Sequence, residues 1–525
     1  MENSVVPDIR DFVPEKLKPW LVVLFVLIFQ ISGGVYLAAV TEMVGSTALM
    51  QEDVMMAGYA SLVGMSLTFC IMFRLKFRFP IKTGLLVCAF VLIVCNLICM
   101  QTICVPVLVA TCFVAGLFRM WAIFFCNTTI QLWVTPKRVM SVWFCFIYLQ
   151  VQGALQLNAL FTAYIAFWAK WEFMHWFIVG LLLAVVLTVI LCYRHYHSMM
   201  RLPLFGIDWF GGFLWGGFMM CVVFVCVYGN YYDWYLSVWI WLATIIGIVA
   251  LCLNLWRASF IRHPYIDFLT LRCGAVWKMF ALYILLDFLL APEHVFEHAY
   301  FENILCYDSL NIASLNWWIL LGVIVGSVFT YVTFARLQWR YRTMIILSFI
   351  SVTVYLMVFY FIADYNVSKS AFYFPLFCRG FAYVLCAITL LTSISQAGLP
   401  FPNFAQGLTL HGFGGAVLGG VVGSAVLGEI FERVFHRNMQ WMGESIDRLN
   451  GCAQGMSFEE IFGALNKHAL AVTIKEIYGL LTICSIFLVI AFLFYKSSLR
   501  PTAIHPKWRT VRRLFKRELK EDVEL

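Results

Sequence analysis

Apolar runs of roughly twenty residues, each about long enough for a helix to cross a bilayer core of about 30 Å, recur along the chain from Trp20 to Tyr495. Backbone polar groups inside lipid must be satisfied within the segment, so the runs are predicted to be helices. About fourteen spans are read by this criterion, at residues 20–40, 54–73, 83–101, 105–127, 139–161 and 174–193 for the first six. A central pair follows at 209–229 and 237–255, then six more at 273–291, 312–334, 343–363, 372–393, 404–427 and 474–495. The expected fold class is an all-α polytopic membrane protein. With 63% hydrophobic and 12% charged residues, and a mean hydropathy of +0.87, no soluble arrangement hides so much apolar surface.

A formal charge of +8 raises the question of nucleic acid, and its placement argues against it. Basic residues follow every second span: Arg74, Lys76, Arg78 and Lys82; Lys137 and Arg138; Arg194 and Arg201; Arg257, Arg262 and Arg272; Arg336, Arg340 and Arg342. The intervening loops carry Glu42, Glu52 and Asp53, then Glu293, Glu297, Glu302 and Asp308. Basic loops stay cytoplasmic, so both termini are expected inside, in agreement with the basic tail Lys507, Arg509, Arg512, Arg513, Lys516 and Arg517. The first apolar run is too long for a signal-peptide core and no small-residue cleavage site precedes it, so no cleaved signal is expected. Most of the 18 cysteines fall inside spans, where a thiol acts as a small apolar residue. No CxxC spacing points to a metal. Cys306 and Cys452 share predicted outer loops, and whether they pair is open because spacing does not fix their distance.

The spans divide into an N-terminal six-helix bundle at 1–200, a central two-helix insertion at 201–262, and a C-terminal six-helix bundle at 263–495 with an outer loop at 429–473. A basic tail occupies 496–525. The halves correspond at one point: Leu117-Phe118-Arg119-Met120-Trp121-Ala122 and Phe377-Cys378-Arg379-Gly380-Phe381-Ala382 each set a lone arginine after an apolar pair in the fourth span of a half. Such repeats build many secondary transporters, with the substrate site near the midplane; chance likeness between apolar helices is the alternative. In the outer loop, Ser457 and Glu460 form a capping-box pattern, and Ile430, Val434, Phe435, Met439 and Met442 mark an amphipathic helix continuing span 13. Trp508, Val511, Phe515 and Leu519 share a face in the tail, either as a helix on the inner leaflet or within a solvated tail.

Arginine at the middle of a span costs about 2.5–3.5 kcal/mol even on gentle insertion scales. Arg119 is therefore read as a proton- or substrate-handling group, with helix packing onto carbonyls as the alternative; Arg379, nearer a span end, is a second candidate. Ser32 with Gly33 and Gly34 allows a close approach or a local break in span 1. Gln152 and Gln156 share a face of span 5 and either line a substrate cavity or join helices. Asp287 is the carboxylate well inside a run, with Ala291-Pro292 expected to set it near the outer rim. His411 in span 13 titrates in the physiological window, although packing histidines are common. Gly415, Gly419 and Gly423 stack as a small-xxx-small stripe for tight packing. No nucleophile elbow, HExxH or clustered carboxylates at a water boundary is present, so no catalytic residue, metal or cofactor is expected beyond a possible proton gradient.

These stretches, taken in order, resemble the fourteen-span drug:proton antiporters of the major facilitator superfamily, the EmrB-like exporters. Leu117 to Ala122 is similar to the span-4 motif, with its arginine at Arg119. Ile207-Asp208 with Gly211, then Asp233-Trp234, resemble the start and outer turn of the central pair. His263-Pro264-Tyr265-Ile266-Asp267 is similar to the loop before span 9. Gly380-Phe381-Ala382, Leu391-Thr392-Ser393-Ile394-Ser395 and Gly398-Leu399-Pro400 resemble span 12 and its exit, and Trp171-Glu172-Phe173 with Trp176-Phe177 resembles the start of span 6. The chain departs from the family at three places. Ser32 stands at the span-1 aspartate, basic residues around Arg78 and Lys82 replace the Gly-x-x-x-Asp-Arg-x-Gly loop, and Gln152-Gly153 replaces the span-5 antiporter signature.

The resemblance implies a major facilitator fold and alternating-access export of small amphipathic compounds. It also implies a bacterial inner membrane, with a periplasmic adaptor and an outer-membrane duct as partners. An importer or facilitator on the same fold, and a transport-inactive scaffold or sensor, are the rival readings. Reporter fusions at Glu302 and near Asn450 are expected to signal the outer compartment and a fusion at Arg340 the cytoplasm. A cytoplasmic signal at Glu302 overturns the topology.

Overall fold

The computed structural model describes residues 8–35, 40–46, 49–136, 139–195, 204–445 and 457–494, with residue 501. Each apolar run is helical: α1 (Lys18–Ile31), α2 (Gln51–Arg78), α3 (Ile81–Gln101), α4 (Val105–Val134), α5 (Met140–Trp168), α6 (Phe173–Cys192), α7 (Trp209–Tyr228) and α8 (Val238–Ala258). They continue as α9 (Gly274–Leu290), α10 (Ser309–Arg336), α11 (Tyr341–Ile362), α12 (Lys369–Ser395), α13 (401–444) and α14 (Phe458–Phe494). Among the described residues there is no strand, only an isolated bridge between Ile9 and Tyr193. The protein is an all-α, multi-pass membrane protein. Prolines open several helices at a position where a missing N–H costs nothing, as Pro106 does in α4 and Pro402 in α13.

Eleven of these helices are long and apolar enough to cross a membrane unaided. Three predicted spans fall short, each for a visible reason. α1 has 14 residues, because Ser32 turns its Oγ back to the Phe29 carbonyl at 2.8 Å and Gly34 takes φ +91°. The helix of span 1 is therefore interrupted after Ile31, and a further helix is described at Val40–Ser46. α9 ends after 17 residues ahead of Pro292. α13 carries a π-helical turn at Gly414–Leu418.

In lipid, helices associate by close packing and polar contacts rather than by a hydrophobic force. Two crossings show how far this goes. A Cβ on Gly64 of α2 would overlap the Phe113 carbonyl of α4, and one on Gly116 of α4 would overlap the Ser61 carbonyl of α2. In the C-terminal half, Gly322 of α10 meets the Phe377 carbonyl of α12, and Gly380 meets the Ile319 carbonyl. Each glycine faces the carbonyl three residues before its partner glycine, so the crossings are copies of one arrangement. They align Gly116 with Gly380, and hence Arg119 with Tyr383 and Arg379 with Ala115. The arginine-based alignment of the sequence is thus out of register by four residues, about one helical turn.

The N-terminal half packs α2 on α4, α3 on α4 and α6, and α1 on α4 and α5. The C-terminal half packs α12 on α10 and α11, α14 on α11 and α13, and α9 on α13. The halves meet where α2 lies on α13 and α5 lies on α10 and α12. α7 packs on α2, and α8 almost wholly on α7. Asp208 caps α7 through the Gly211 N–H at 2.9 Å and binds Arg257 of α8 at 2.9 Å.

The basic ends gather on one face. Residues 8–10 dock there through Arg10 N–H to the Cys192 carbonyl and Arg194 N–H to the Asp8 carbonyl, both 2.8 Å. Arg342 donates to the Leu493 carbonyl near the end of α14, on the same face. On the acidic face α13 and α14 project as a hairpin, joined by Arg437–Glu476 at 2.7 Å and Asn438–Thr473 at 3.0 Å. The Ser457–Glu460 capping box is present, with Ser457 N–H to Glu460 at 2.8 Å and Glu460 N–H to Ser457 Oγ at 3.3 Å. Lys137, Arg138, Arg201, Cys452 and the amphipathic tail lie outside the described residues, and Cys306 is exposed.

Gly116→Val is expected to destabilise the protein by about 1–3 kcal/mol, read as a lower unfolding temperature in detergent. Gly217, with nothing within 4 Å of its Cβ position, is the control: Gly217→Ala should leave that temperature unchanged. Equal behaviour of the two variants contradicts the crossing.

Candidate functional site

Arg119 is buried halfway along α4, and its Nε lies 3.0 Å from Met65 Sδ of α2. Its guanidinium occupies the space a Cβ on Gly33 would need. The break in span 1 and the arginine therefore fit one another: the glycine leaves room for the charge. Ser32 is buried beside it, with its hydroxyl committed to Phe29.

The contact between halves holds a polar chain. His411 of α13 reaches Tyr148 of α5 through Nε2 at 2.7 Å, and Tyr148 reaches Tyr283 of α9 at 3.1 Å. His411 Nδ1 faces Met279 Sδ at 3.2 Å. All four side chains are buried. The glycine stripe makes this geometry. Along α13, His411, Gly415, Gly419 and Gly423 recur every four residues and run beside Met279, Tyr283, Asp287 and Phe288 of α9. Tyr283 lies over Gly415, and Asp287 occupies the space a Cβ on Gly419 would take.

Asp287 does not face water, as its nearness to Pro292 suggested it would. The chain folds back into short helical turns at Pro292–Val295 and Glu297–Ala299, and Asp287 is 7% exposed, with Oδ2 lacking a hydrogen-bond partner.

Those same turns change the reading of the acidic loop. Glu297 is buried and binds Arg379 at 2.8 Å; Glu293, one-third exposed, binds the same guanidinium at 3.0 Å. Glu297 also accepts from Tyr355 and, at 3.0 Å, from Tyr478. Arg379 is thus the centre of a closed ionic cluster tying α12, α11 and α14 to the 292–304 turns. Glu293, Glu297, Tyr355 and Tyr478 were invisible as site residues in the sequence, where the glutamates look like loop charges. The proline at 292 that opens a helical turn is the signal that could have placed them on a helix.

The amides of α5 are not drawn into these groups. Gln156 is buried and Gln152 half-buried, while Gln150 is buried with both amide atoms unpaired. Arg119, Arg379 and the Asp287–His411 row therefore form three separate places rather than one constellation. Among the described residues no group of three metal-ligating side chains converges.

No protein-family model and no curated protein matches the sequence. Solved structures do match in fold. A proton-dependent oligopeptide transporter structure superposes with a TM-score of 0.58 at 13% identity, covering 91% of this chain and 98% of that one. The nucleoside transporter NupG gives 0.55 at 12% identity, over 91% and 100%. An auto-inhibited POT-family peptide transporter gives 0.51 at 12%, over 92% and 99%. The chain shares the fold of these solved transporters.

Arg379→Met leaves two carboxylates without their cation and is expected to cost about 3–5 kcal/mol. Adding Glu297→Gln should return part of that loss. Unfolding temperatures of the single and double variants check this; additive losses contradict a coupled cluster.

Proposed function

We propose that this chain is a secondary transporter that exports small amphipathic compounds by alternating access, in exchange for protons carried on Asp287. One observation carries the reading. A carboxyl oxygen without a partner is buried where α9 crosses the glycine stripe of α13, one turn from the Tyr283–Tyr148–His411 contact between the halves. An ionised carboxylate demands hydrogen bonds that this packing withholds. Charging Asp287 therefore favours an arrangement in which α9 and α13 part and admit water, whereas a proton favours the packed one. That ties one protonation event to the relative position of the halves.

The likeness to transporters supports the fold and, by analogy alone, transport. Export rather than import, the drug:proton antiporter family, and a periplasmic adaptor with an outer-membrane duct rest on the motif resemblance. Cytoplasmic termini are proposed from the basic ends under the positive-inside rule, and a bacterial inner membrane from the motif resemblance. Arg119 at the break in span 1, with Gln152 and Gln156 of α5, is the proposed surround of the substrate path. Ser32 has no carboxyl to carry a proton, so the role falls to Asp287, with His411 two turns away along the contact of α9 and α13.

Asp287→Asn keeps the shape and removes the titration. Proton-driven uptake into everted vesicles is expected to fall to the level of vesicles without the protein, with substrate binding retained; His411→Gln should do less. Full driven uptake by the double variant would exclude both groups and favour a facilitator, and absence of both binding and flux in the wild type would favour a scaffold.

A further inference from the structure

Transport as proposed leaves one buried pair of reactive groups unused. Cys99, in the last turn of α3, and Cys112, in the second turn and beyond of α4, bring their sulfurs to 3.8 Å, with 3% and 0% exposure. The break in span 1 closes directly over them. Gly34 takes φ +91°, and a Cβ built on it would lie 3.3 Å from Cys112 Sγ and 3.4 Å from Cys99 Sγ. Only glycine suits that backbone, and it brings the chain down onto both sulfurs. The preceding residue, Gly33, is the one that makes room for Arg119, two turns along α4 from Cys112. The thiol pair is therefore the seat of the break that holds the arginine.

Sulfur atoms at van der Waals contact need to approach by less than about 2 Å to reach disulfide bonding distance. Both are enclosed within bilayer-spanning helices, which excludes charged oxidants and dithiol enzymes. A small, uncharged, lipid-soluble oxidant is the class that reaches them.

We propose that Cys99 and Cys112 are a reversible modification site, oxidised to a disulfide by membrane-soluble organic hydroperoxides. One sulfur, giving up its proton, attacks the terminal peroxide oxygen. The O–O bond breaks, the alcohol leaves with that proton, and a sulfenic acid remains. The second sulfur attacks the sulfenic sulfur; the S–S bond forms, the S–O bond breaks, and hydroxide leaves as water with the second thiol proton. Two thiols and one hydroperoxide thus become a disulfide, an alcohol and water, and the two electrons lost by sulfur reduce the O–O bond. A small, uncharged, membrane-soluble dithiol reverses the step by exchange, its own two sulfurs leaving as a disulfide. Drawing the sulfurs together shifts the floor beneath Gly34, and so the setting of Arg119.

The test uses the full-length protein in proteoliposomes treated with cumene hydroperoxide, then alkylated, digested and mapped by mass spectrometry. The expected product is a peptide pair linked through Cys99 and Cys112 that a phosphine reductant releases. In Cys112→Ser, dimedone should instead capture a sulfenic acid at Cys99. The exposed Cys104 and Cys306 report that oxidant was delivered. If they are oxidised while Cys99 and Cys112 both remain open to alkylation after unfolding, the proposal fails; a Cys95–Cys99 link in place of the expected one also overturns it. These readouts do not depend on transport and stand apart from the role given to Asp287. Where flux is measured, oxidation should lower it in the wild type and not in Cys112→Ser; linked protein with unchanged flux refutes the connection to the break.

Discussion

A charge or polar group in hydrocarbon must bring its partner with it, and this requirement organises the C-terminal half. Arg379 is costly alone, so the chain returns after α9, in turns opened by Pro292, to set Glu293 and Glu297 against it. Tyr355 and Tyr478 complete Glu297 from α11 and α14. Four elements are held by one guanidinium, and the short length of α9 follows from the need to turn back.

Asp287 is the exception, and the proposed coupling rests on it. It lies on the same helix, less than two turns before the cluster, yet Oδ2 has no partner and rests against glycine backbone. Glycine at 419 lets α13 come close enough to cover the carboxyl, and the π turn just before it relaxes the regular hydrogen-bond ladder. In the proposed cycle, the same small residues that make the packing tight make it dependent on a single charge. In the N-terminal half the comparable place is the break in span 1, where Gly33 admits Arg119. The two halves repeat one glycine crossing but set their arginines a turn apart, and each has solved its buried charge differently.

Much of this was legible in the sequence, and the losses have physical causes. Length and apolarity located the long helices, because lipid leaves a segment no alternative; the short helical turns at Pro292–Val295 and Glu297–Ala299 escaped them. The Ser457–Glu460 cap and the Gly415, Gly419, Gly423 stripe were readable because both are local, three or four residues apart. The break at Ser32–Gly34 was only half visible: small residues permit a break without requiring one. The burial of Asp287 and Glu297 was not legible, because a proline reads as a span's end when here it begins helical turns that fold back. The repeat was misaligned because arginine, the conspicuous residue, is not what the crossing needs; glycine is. The Tyr148–His411 and Arg379–Glu297 pairs join residues far apart in the chain, and no periodicity announces them.

The central claim is that the charge on Asp287 sets the arrangement of the halves. It is tested most directly by the distance between spin labels introduced as non-canonical amino acids at Gln51 and Glu302, exposed positions on the acidic ends of the two halves, which leaves the 18 cysteines untouched. Pulsed dipolar measurements in nanodiscs at acidic and alkaline pH should give two distance distributions in the wild type. Asp287→Asn should stay at the acidic-pH distribution throughout. The same pH-driven shift in Asp287→Asn as in the wild type would contradict the account.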